Sequence, residues 1–449
     1  MNHQSKPWTV KPVRIVATAA TLVVLAGPAA AQTIEYTVTD IPLVPDAYIT
    51  FPLAINNHGV VVGWAMFTGG GLSVRAWRWS ADSGLTLLPP PPGAMSDYYL
   101  AVDLNDAGVI AGDGGYDSGQ IWRFEDNNYT IIGTLPRLDG SRGPAMNIHG
   151  DIVGTSFDSQ TFLTPTRALL YTDEQGLVEL FPEYQSSSAG DMNDVGQIAA
   201  GGGSSVIRVE PDGSRTFLPQ PPGFARFGAG RINAGGDIAG IASCSHECNQ
   251  AALWTETGGY QIIPWMGTRH SLGGLNDRRE VVGGVEEGVA RGWVWSPQQG
   301  LRTLAAVIDP GLTRNIYEAT GINNRGQIIA YGQDYVARED RVMLLTPVYW
   351  LSVENLVSGQ TAAFTLTGAT ANANQYLVYS LRGPGSTFVG QLNVTLDLAR
   401  PVLLTSGRAD ANGAFETTVH VPRAASGRTV WFQGAEMNRT TPAFREVVQ

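Results

Sequence analysis

The sequence predicts an all-β protein, with a seven-bladed β-propeller followed by a small C-terminal β-sandwich. Three observations predict this fold class. A short motif recurs seven times at spacings of 40–49 residues, the chain is rich in glycine and poor in charge, and the last hundred residues alternate like strands without the motif. With 54 glycines and only 15% charged residues, the composition suits short strands joined by tight turns and does not suit disorder.

The recurring motif begins as Ile55-Asn56-Asn57-His58-Gly59 and continues through a β-branched run to Gly63. Asparagine can hydrogen-bond the backbone two residues on, and the glycine three residues later permits a positive φ. The motif therefore predicts a strand, a tight turn and a second strand. The predicted turn residues are Asn56, Gly59, Asn105, Gly108, Asn147, Gly150, Asn193, Gly196, Asn233, Gly236, Asn276, Asn323 and Gly326.

The sixth copy of the motif departs from the others, because Arg279 stands where the turn glycine is expected. A non-glycine residue resists positive φ, so we expect this turn to be distorted or differently built. His58 and His149 occupy equivalent turn positions in the first and third copies. We interpret both as exposed turn residues rather than ligands.

A third strand follows each hairpin, as in Ala76-Trp77-Arg78-Trp79, and a fourth follows after another turn. Four strands in 40–45 residues is the size of one propeller blade. Tryptophans in this third strand could stack on sugar rings, but their repeated position favours packing between blades. This expectation covers Trp77, Trp79, Trp122, Trp254, Trp293 and Trp295. Trp64 and Trp265 lie outside that strand, and we expect them to be accessible.

The motif, with its Ala-x-x-Trp continuation, resembles the HAF repeat of bacterial extracellular proteins over about residues 33–348. The resemblance implies secretion and a propeller-like array over residues 32–348. It implies no activity and no catalytic residue.

The seventh copy lacks an obvious fourth strand. A β-branched, alternating segment near the start, Tyr36 to Ile41, resembles the missing piece. We therefore predict that this segment completes the last blade beside Val342 to Leu345. Such a closure joins the two ends of the array and removes its exposed strand edges.

Residues 349–449 alternate without the motif and predict a β-sandwich. Asp410-Ala411-Asn412-Gly413 is typical of a hairpin turn. Asp410 and Asn412 could also hold calcium, but the full acidic loop pattern is missing, which favours the turn.

The first 31 residues have the pattern of a secretory signal peptide, with a basic start, an apolar run from Ile15 to Gly27 and small residues at Ala29-Ala30-Ala31. The run is shorter than a bilayer requires, which favours cleavage over an anchor, and no second such run follows. The only cysteines are Cys244 and Cys248. In an oxidising compartment this pair predicts a disulfide, with free thiols or a metal site involving His246 and Glu247 as alternatives.

Beyond Ala31 the chain carries 26 arginines against 40 acidic residues, so its surface disfavours nucleic acid as a partner. The chain contains no Gly-x-Ser-x-Gly, His-Glu-x-x-His or phosphate-loop motif, and we assign no catalytic, cofactor or metal residue. The favoured hypothesis is an exported binding or scaffolding protein whose ligand, a glycan or a protein, is unidentified. The alternatives are a secreted propeller enzyme acting on polysaccharide, a glycosidase or lyase, and a structural surface component.

Overall fold

The structure, a computed structural model, describes residues 35–69, 72–115, 119–160, 165–203, 205–244, 249–264, 269–285, 291–297 and 299–449. Residues 33–449 form one compact unit. Within the described residues the helical segments are two single 3₁₀ turns, Leu304–Ala306 and Arg423–Ala425. No helix among these residues has the length and apolarity needed to cross a membrane.

Strand β1 is Tyr36–Ile41, and six successive four-stranded antiparallel units follow it. Unit 1 contains β2 (Ile49–Ile55), β3 (Val61–Phe67), β4 (Ser73–Ser80) and β5 (Gly84–Leu87). Unit 2 contains β6 (Tyr99–Leu104), β7 (Ile110–Gly114), β8 (Gln120–Glu125) and β9 (Asn128–Gly133). Unit 3 contains β10 (Gly140–Met146), β11 (Ile152–Phe157), β12 (Arg167–Thr172) and β13 (Gly176–Glu179). Unit 4 contains β14 (Ser187–Met192), β15 (Ile198–Gly202), β16 (Ser205–Val209) and β17 (Arg215–Phe217). Unit 5 contains β18 (Arg226–Ile232), β19 (Ile238–Ser243), β20 (Asn249–Thr255) and β21 (Gly259–Ile262). Unit 6 contains β22 (His270–Leu275), β23 (Val281–Val285), β24 (Trp293–Ser296) and β25 (Gly300–Thr303).

Unit 7 draws its strands from both ends of the array. It contains β26 (Arg314–Ile322), β27 (Ile328–Asp334) and β28 (Glu339–Pro347), and β1 is its fourth strand. The pairing is antiparallel and runs from Tyr36 opposite Pro347 to Ile41 opposite Val342. The predicted role of the N-terminal segment is therefore confirmed. A single bridge between Gly284 and Glu318 also joins units 6 and 7 into one eight-stranded sheet.

The asparagine turns join the first two strands of each unit, as the motif predicts. In unit 1 the Gly59 N–H donates to the Asn56 carbonyl at 3.1 Å, and Asn56 Oδ1 accepts bonds from the N–H groups of His58 and Val60. The six turn glycines have φ of 75–85°. His58 and His149 are exposed, as expected for turn residues.

The expectation of a distorted sixth turn is wrong. Arg279 adopts φ 63°, and its N–H donates to the Asn276 carbonyl at 3.1 Å, as the glycines do in the other turns. Its guanidinium reaches back to unit 5 and donates to both oxygens of Asp237, at 2.8 and 3.2 Å. This bidentate pair offsets the roughly 1–2 kcal/mol that a left-handed conformation costs a residue with a Cβ.

The last glycine of the motif has a different role. In each unit the first strand has a register shift just before the turn. A backbone carbonyl of the first strand can then lie close to the last motif residue on the second strand. A Cβ on Gly63 would lie 2.0 Å from the Phe51 carbonyl oxygen, and one on Gly283 would lie 2.0 Å from that of Ser271. Glycine is therefore needed at these two positions for close approach, whereas units 4 and 7 carry Ala200 and Ala330 at the equivalent position. The six third-strand tryptophans are at most 7% exposed, which confirms their expected packing.

The C-terminal residues form three small sheets. One contains β29 (Trp350–Glu354), β30 (Thr361–Thr367) and β35 (Phe415–His420). The second contains β31 (Asn374–Ser380), β34 (Val402–Arg408), β36 (Thr429–Glu436), β37 (Arg439–Thr440) and β38 (Phe444–Val447), and the third pairs β32 (Pro384–Val389) with β33 (Val394–Leu398). The first two share a core that includes Phe364, Leu366, Leu377 and Phe432. The predicted turn at Asp410 exists, with Asp410 Oδ1 accepting two backbone N–H bonds, but it joins two sheets rather than two paired strands.

Candidate functional site

The seven turn asparagines lie in one circle at the same end of the units, which we call the turn face. The Nδ2 group of Asn56 donates to the Asn105 carbonyl at 3.0 Å, and that of Asn105 donates to the Asn147 carbonyl at 3.1 Å. The same bond links units 4 to 5, 5 to 6, 6 to 7 and 7 to 1. The step from unit 3 to unit 4 uses the Ile148 N–H and the Asp194 carboxylate instead, at 3.0 Å. Six of the seven turn asparagines therefore link neighbouring units directly, whereas the Nδ2 group of Asn147 donates to Asp151 in its own turn.

The first strands of all seven units surround a central channel, with a cavity of about 150 Å³ in its interior. The residue two positions before each turn asparagine lies in or beside this cavity. In four units it is alanine or glycine, which leaves the channel open. In the other three it is Asp103, Asp191 or Arg231. Sequence reasoning missed these three residues, although their polar character at an otherwise small position was a signal.

Both channel aspartates hold neighbouring strands together. Asp103 accepts bonds from the N–H groups of Leu104, at 2.9 Å, and of Met146 in the next unit, at 2.8 Å. Asp191 accepts from Met192 and, in the next unit, Ile232, each at 2.9 Å. Each carboxylate therefore uses both of its oxygens on the backbone and ties one unit to the following one.

The environment of the channel raises the pKa of both carboxyl groups. Burial, followed by the negative charge of Asp191, raises the pKa of Asp103 to about 7, against the lowering effect of the backbone donors. Burial raises the pKa of Asp191 to about 6, with Arg231 as the main opposing influence. Burial also raises the pKa of Asp113 to about 6, although this carboxylate accepts the Gly143 N–H of the next unit at 2.7 Å. A raised carboxyl pKa is what an acid catalyst needs, but it also follows from a buried structural role.

The C-terminal residues cross the turn face. Arg445, in β38, donates to Asp194 of unit 4 at 3.3 Å, and the Ala443 carbonyl accepts a bond from Arg278 of unit 6 at 3.0 Å. Glu446 pairs with Arg325 of unit 7 at 3.1 Å. One short segment thus contacts units on opposite sides of the circle.

The opposite end of the units, where the first strands begin, we call the open face. At the seam between units 7 and 1, Phe51 stacks on Trp64 with ring centroids 5.4 Å apart, and Tyr331 lies 5.1 Å from Phe51. Tyr317 lies 6.2 Å from Tyr331. We call these four residues the open-face aromatic cluster. All four are partly exposed, unlike the buried third-strand tryptophans, and Trp64 is accessible as expected.

Further exposed side chains lie on loops at the same face. Tyr48, which precedes β2, is 69% exposed, and Tyr335 and Val336, between β27 and β28, are 51% and 69% exposed. The phenols of the cluster are hydrogen-bonded, Tyr331 to Asp340 at 2.8 Å and Tyr317 to Gln333 at 3.1 Å. Two nearby arginines are ion-paired, since Arg314 contacts both Asp40 and Asp334 and Arg341 contacts Glu339.

Other sequence predictions fall partly outside the described residues. Cys248, His246, Glu247 and Trp265 lie outside them, so the Cys244–Cys248 bridge stays a prediction, although the described part of the chain holds no free cysteine. Within that part, no three His, Cys, Asp or Glu side chains are grouped as metal ligands would be. The signal segment also lies outside the described residues.

The chain has low sequence identity to the solved structures that it resembles. No family model and no curated protein matches the chain. Virginiamycin B lyase from Staphylococcus aureus is a similar solved structure, with 14% identity, 70% of this chain and 99% of that chain covered, and a TM-score of 0.47. The β-propeller domain of the Trilobed protease from Pyrococcus furiosus is 10% identical, with 67% of this chain and 97% of that chain covered and a TM-score of 0.43. TolB from Acinetobacter baumannii is 13% identical, with 64% of this chain and 63% of that chain covered and a TM-score of 0.40. At these identities the activity of none of them transfers to this chain. The assignment of an all-β, propeller-like fold rests on the strand pairing described above.

Proposed function

We propose that this chain is an exported, non-catalytic binding protein, built as a closed seven-bladed β-propeller over residues 32–348 with a C-terminal β-sandwich over residues 349–449. The circle of asparagine bonds and the pairing of β1 with β28 support the blade count. The shared core of two C-terminal sheets supports the sandwich. The signal-like N-terminus and the HAF-like motif support export.

The observation that carries this proposal is how the channel carboxylates are used. Asp103 and Asp191 each accept hydrogen bonds at both oxygens, one from a backbone N–H of the same unit and one from the next unit. Carboxylates bonded in this way hold neighbouring blades together and are poorly placed to exchange protons with a substrate. With β38 across the turn face, the exposed aromatic side chains of the open face are the surface best suited to a ligand.

A second candidate function has one specific observation in its favour. A glycosidase needs two carboxyl groups in different protonation states, and Asp103 and Asp191 have pKa values raised to about 7 and about 6 within one cavity. Under this alternative the channel would be an active site for a polysaccharide end, reached from the open face.

The two functions are separated by assaying turnover on the mature chain. Release of reducing ends and of unsaturated products would be followed on a panel of neutral and acidic polysaccharides, for wild type, Asp103→Asn and Asp191→Asn. The binding proposal predicts no turnover above the protein-free blank for any of the three. Turnover by wild type that falls at least 100-fold in either variant, with folding intact by circular dichroism, would establish the enzyme instead.

A further inference from the structure

We propose that the open-face aromatic cluster binds a neutral polysaccharide, with a sugar ring lying on Trp64 and Tyr331 at the seam between units 7 and 1. This inference rests on the proposed binding function and deepens it by naming the ligand class. It begins from the position of the cluster. The first and last repeats contribute aromatic side chains at the same motif position, Trp64 and Tyr331, and closure of the circle brings both onto Phe51.

The exposure of these rings distinguishes them from core residues. In the third strands, Trp77, Trp122 and Trp293 are fully buried between units. The rings of the cluster instead remain partly exposed, and the strongly exposed Tyr48 and Tyr335 lie on neighbouring loops. Exposed aromatic side chains gathered on one face mark a recognition surface more often than scattered single ones do.

The packing of the cluster selects the ligand class. Its rings contact one another at centroid distances of 5.1–6.2 Å, which leaves no room between them for an enclosed cation. A ligand must therefore lie on the outer surface of the rings. The apolar C–H face of a pyranose ring suits such a surface, and its hydroxyl groups can reach polar groups at the edge of the cluster.

The surrounding groups favour a neutral sugar over a charged one. Asp340 and Gln333 sit beside the two phenols and retain acceptor capacity for sugar hydroxyls. Arg314 and Arg341 are held in ion pairs, Arg314 with Asp40 and Asp334, and Arg341 with Glu339, whereas Arg338, on the loop that carries Tyr335, is exposed. The net acidity of the chain disfavours an acidic polysaccharide.

The test measures retardation of the full mature chain in native gels containing soluble β-1,3-glucan, galactomannan, xylan or, as the acidic comparison, alginate. We expect at least one neutral polysaccharide to retard the wild type and alginate to leave it unchanged. Trp64→Ala should weaken the apparent affinity roughly tenfold or more, because one stacking surface is lost, and Trp64→Phe should restore most of it. Phe217→Ala is the matched control, since Phe217 is 54% exposed on unit 4. It should bind like the wild type.

Thermal melts accompany each variant, so that loss of folding is separated from loss of binding. The inference would be overturned if none of the neutral polysaccharides retards the wild type. It would also be overturned if the Trp64→Ala variant remains folded and binds like the wild type. In the second case binding without turnover would leave the proposed function standing and move the site elsewhere. Polysaccharide cleavage in the turnover assay would instead refute the proposed function itself.

Discussion

Deletion of residues 33–42 is expected to destabilise the whole propeller, because β1 is the strand that joins its two ends. Tyr36 and Ile41 are 5% and 2% exposed and pack into two different cores, one beside Val282 and Ile328 and the other beside Trp77. At roughly 1.5–3 kcal/mol for each buried side chain, the lost burial is about 4 kcal/mol. For a cooperative unit of about 400 residues, an unfolding entropy of ~2.1 cal/mol/K per residue converts this to a fall in Tm of about 5 °C.

The assay compares thermal melts of the mature chain, the deletion variant, Ile41→Ala and Thr39→Ala. Ile41→Ala should lower the free energy of unfolding by about 3 kcal/mol, through lost burial and the cavity left behind. Thr39 is exposed on the same strand, so Thr39→Ala is the matched control and should change it by less than ~0.5 kcal/mol. The deletion variant should also aggregate, because β28 becomes an unpaired edge.

A synthetic peptide of residues 33–42 offers a second readout. Added in excess to the deletion variant, it should pair with β28 and raise the Tm towards that of the mature chain. A deletion variant that melts at the same temperature as the mature chain would refute the closed circle. A peptide without effect on an otherwise folded deletion variant would also count against it.

Three further predictions address particular residues. The raised pKa of Asp103 means that the folded state binds its proton more tightly than the unfolded state, so this group favours folding below about pH 4 and loses that contribution as the pH rises through about 7. In wild type the free energy of unfolding should therefore fall between pH 4 and 8, and Asp103→Asn should remove up to about 4 kcal/mol of this decline. Urea titrations across this pH range measure it, and an unchanged decline in the variant would contradict the raised pKa of Asp103. Arg279→Ala should lower the free energy of unfolding by about 2 kcal/mol, because it keeps the left-handed turn and loses both bonds to Asp237. Arg279→Gly should lower it by about 1 kcal/mol less, because glycine adopts this conformation without strain. Equal losses in the two variants would show that the turn is unstrained. Mass spectrometry of exported protein should find Gln32 at the N-terminus, and an intact Met1 would contradict signal cleavage. It should find no alkylation of Cys244 or Cys248 before reduction, and alkylation of both thiols would contradict the disulfide.

The motif was enough to predict the repeated hairpins, because turn chemistry and strand periodicity are local properties. The role of β1 followed from a second observation, since the seventh copy lacks a fourth strand and residues 36–41 have the pattern of one. The sixth turn was mispredicted because the partner that stabilises Arg279, Asp237, belongs to another unit. The turn at Asp410 was placed correctly, but the alternation of its flanking strands does not reveal which sheet each one joins.

The candidate site was less predictable than the fold. Trp64 was recognised as accessible, yet its stacking with Phe51 and its proximity to Tyr331 depend on the closure of units 7 and 1, which lie far apart in sequence. Asp103 and Asp191 could have been noticed as polar residues at a small position, but one backbone partner of each belongs to the next unit. The contact of Arg445 with Asp194 joins β38 to unit 4 and has no local signal in the sequence.

Hydrogen–deuterium exchange of the mature chain, with and without the polysaccharide that binds it most tightly, tests the location of the site most directly. The account predicts slower exchange in segments around residues 48–51, 64–67 and 331–336 on the open face, with no change around residues 191–194 and 444–447. Protection confined to residues 191–194 and 444–447, with the open face unchanged, would contradict it.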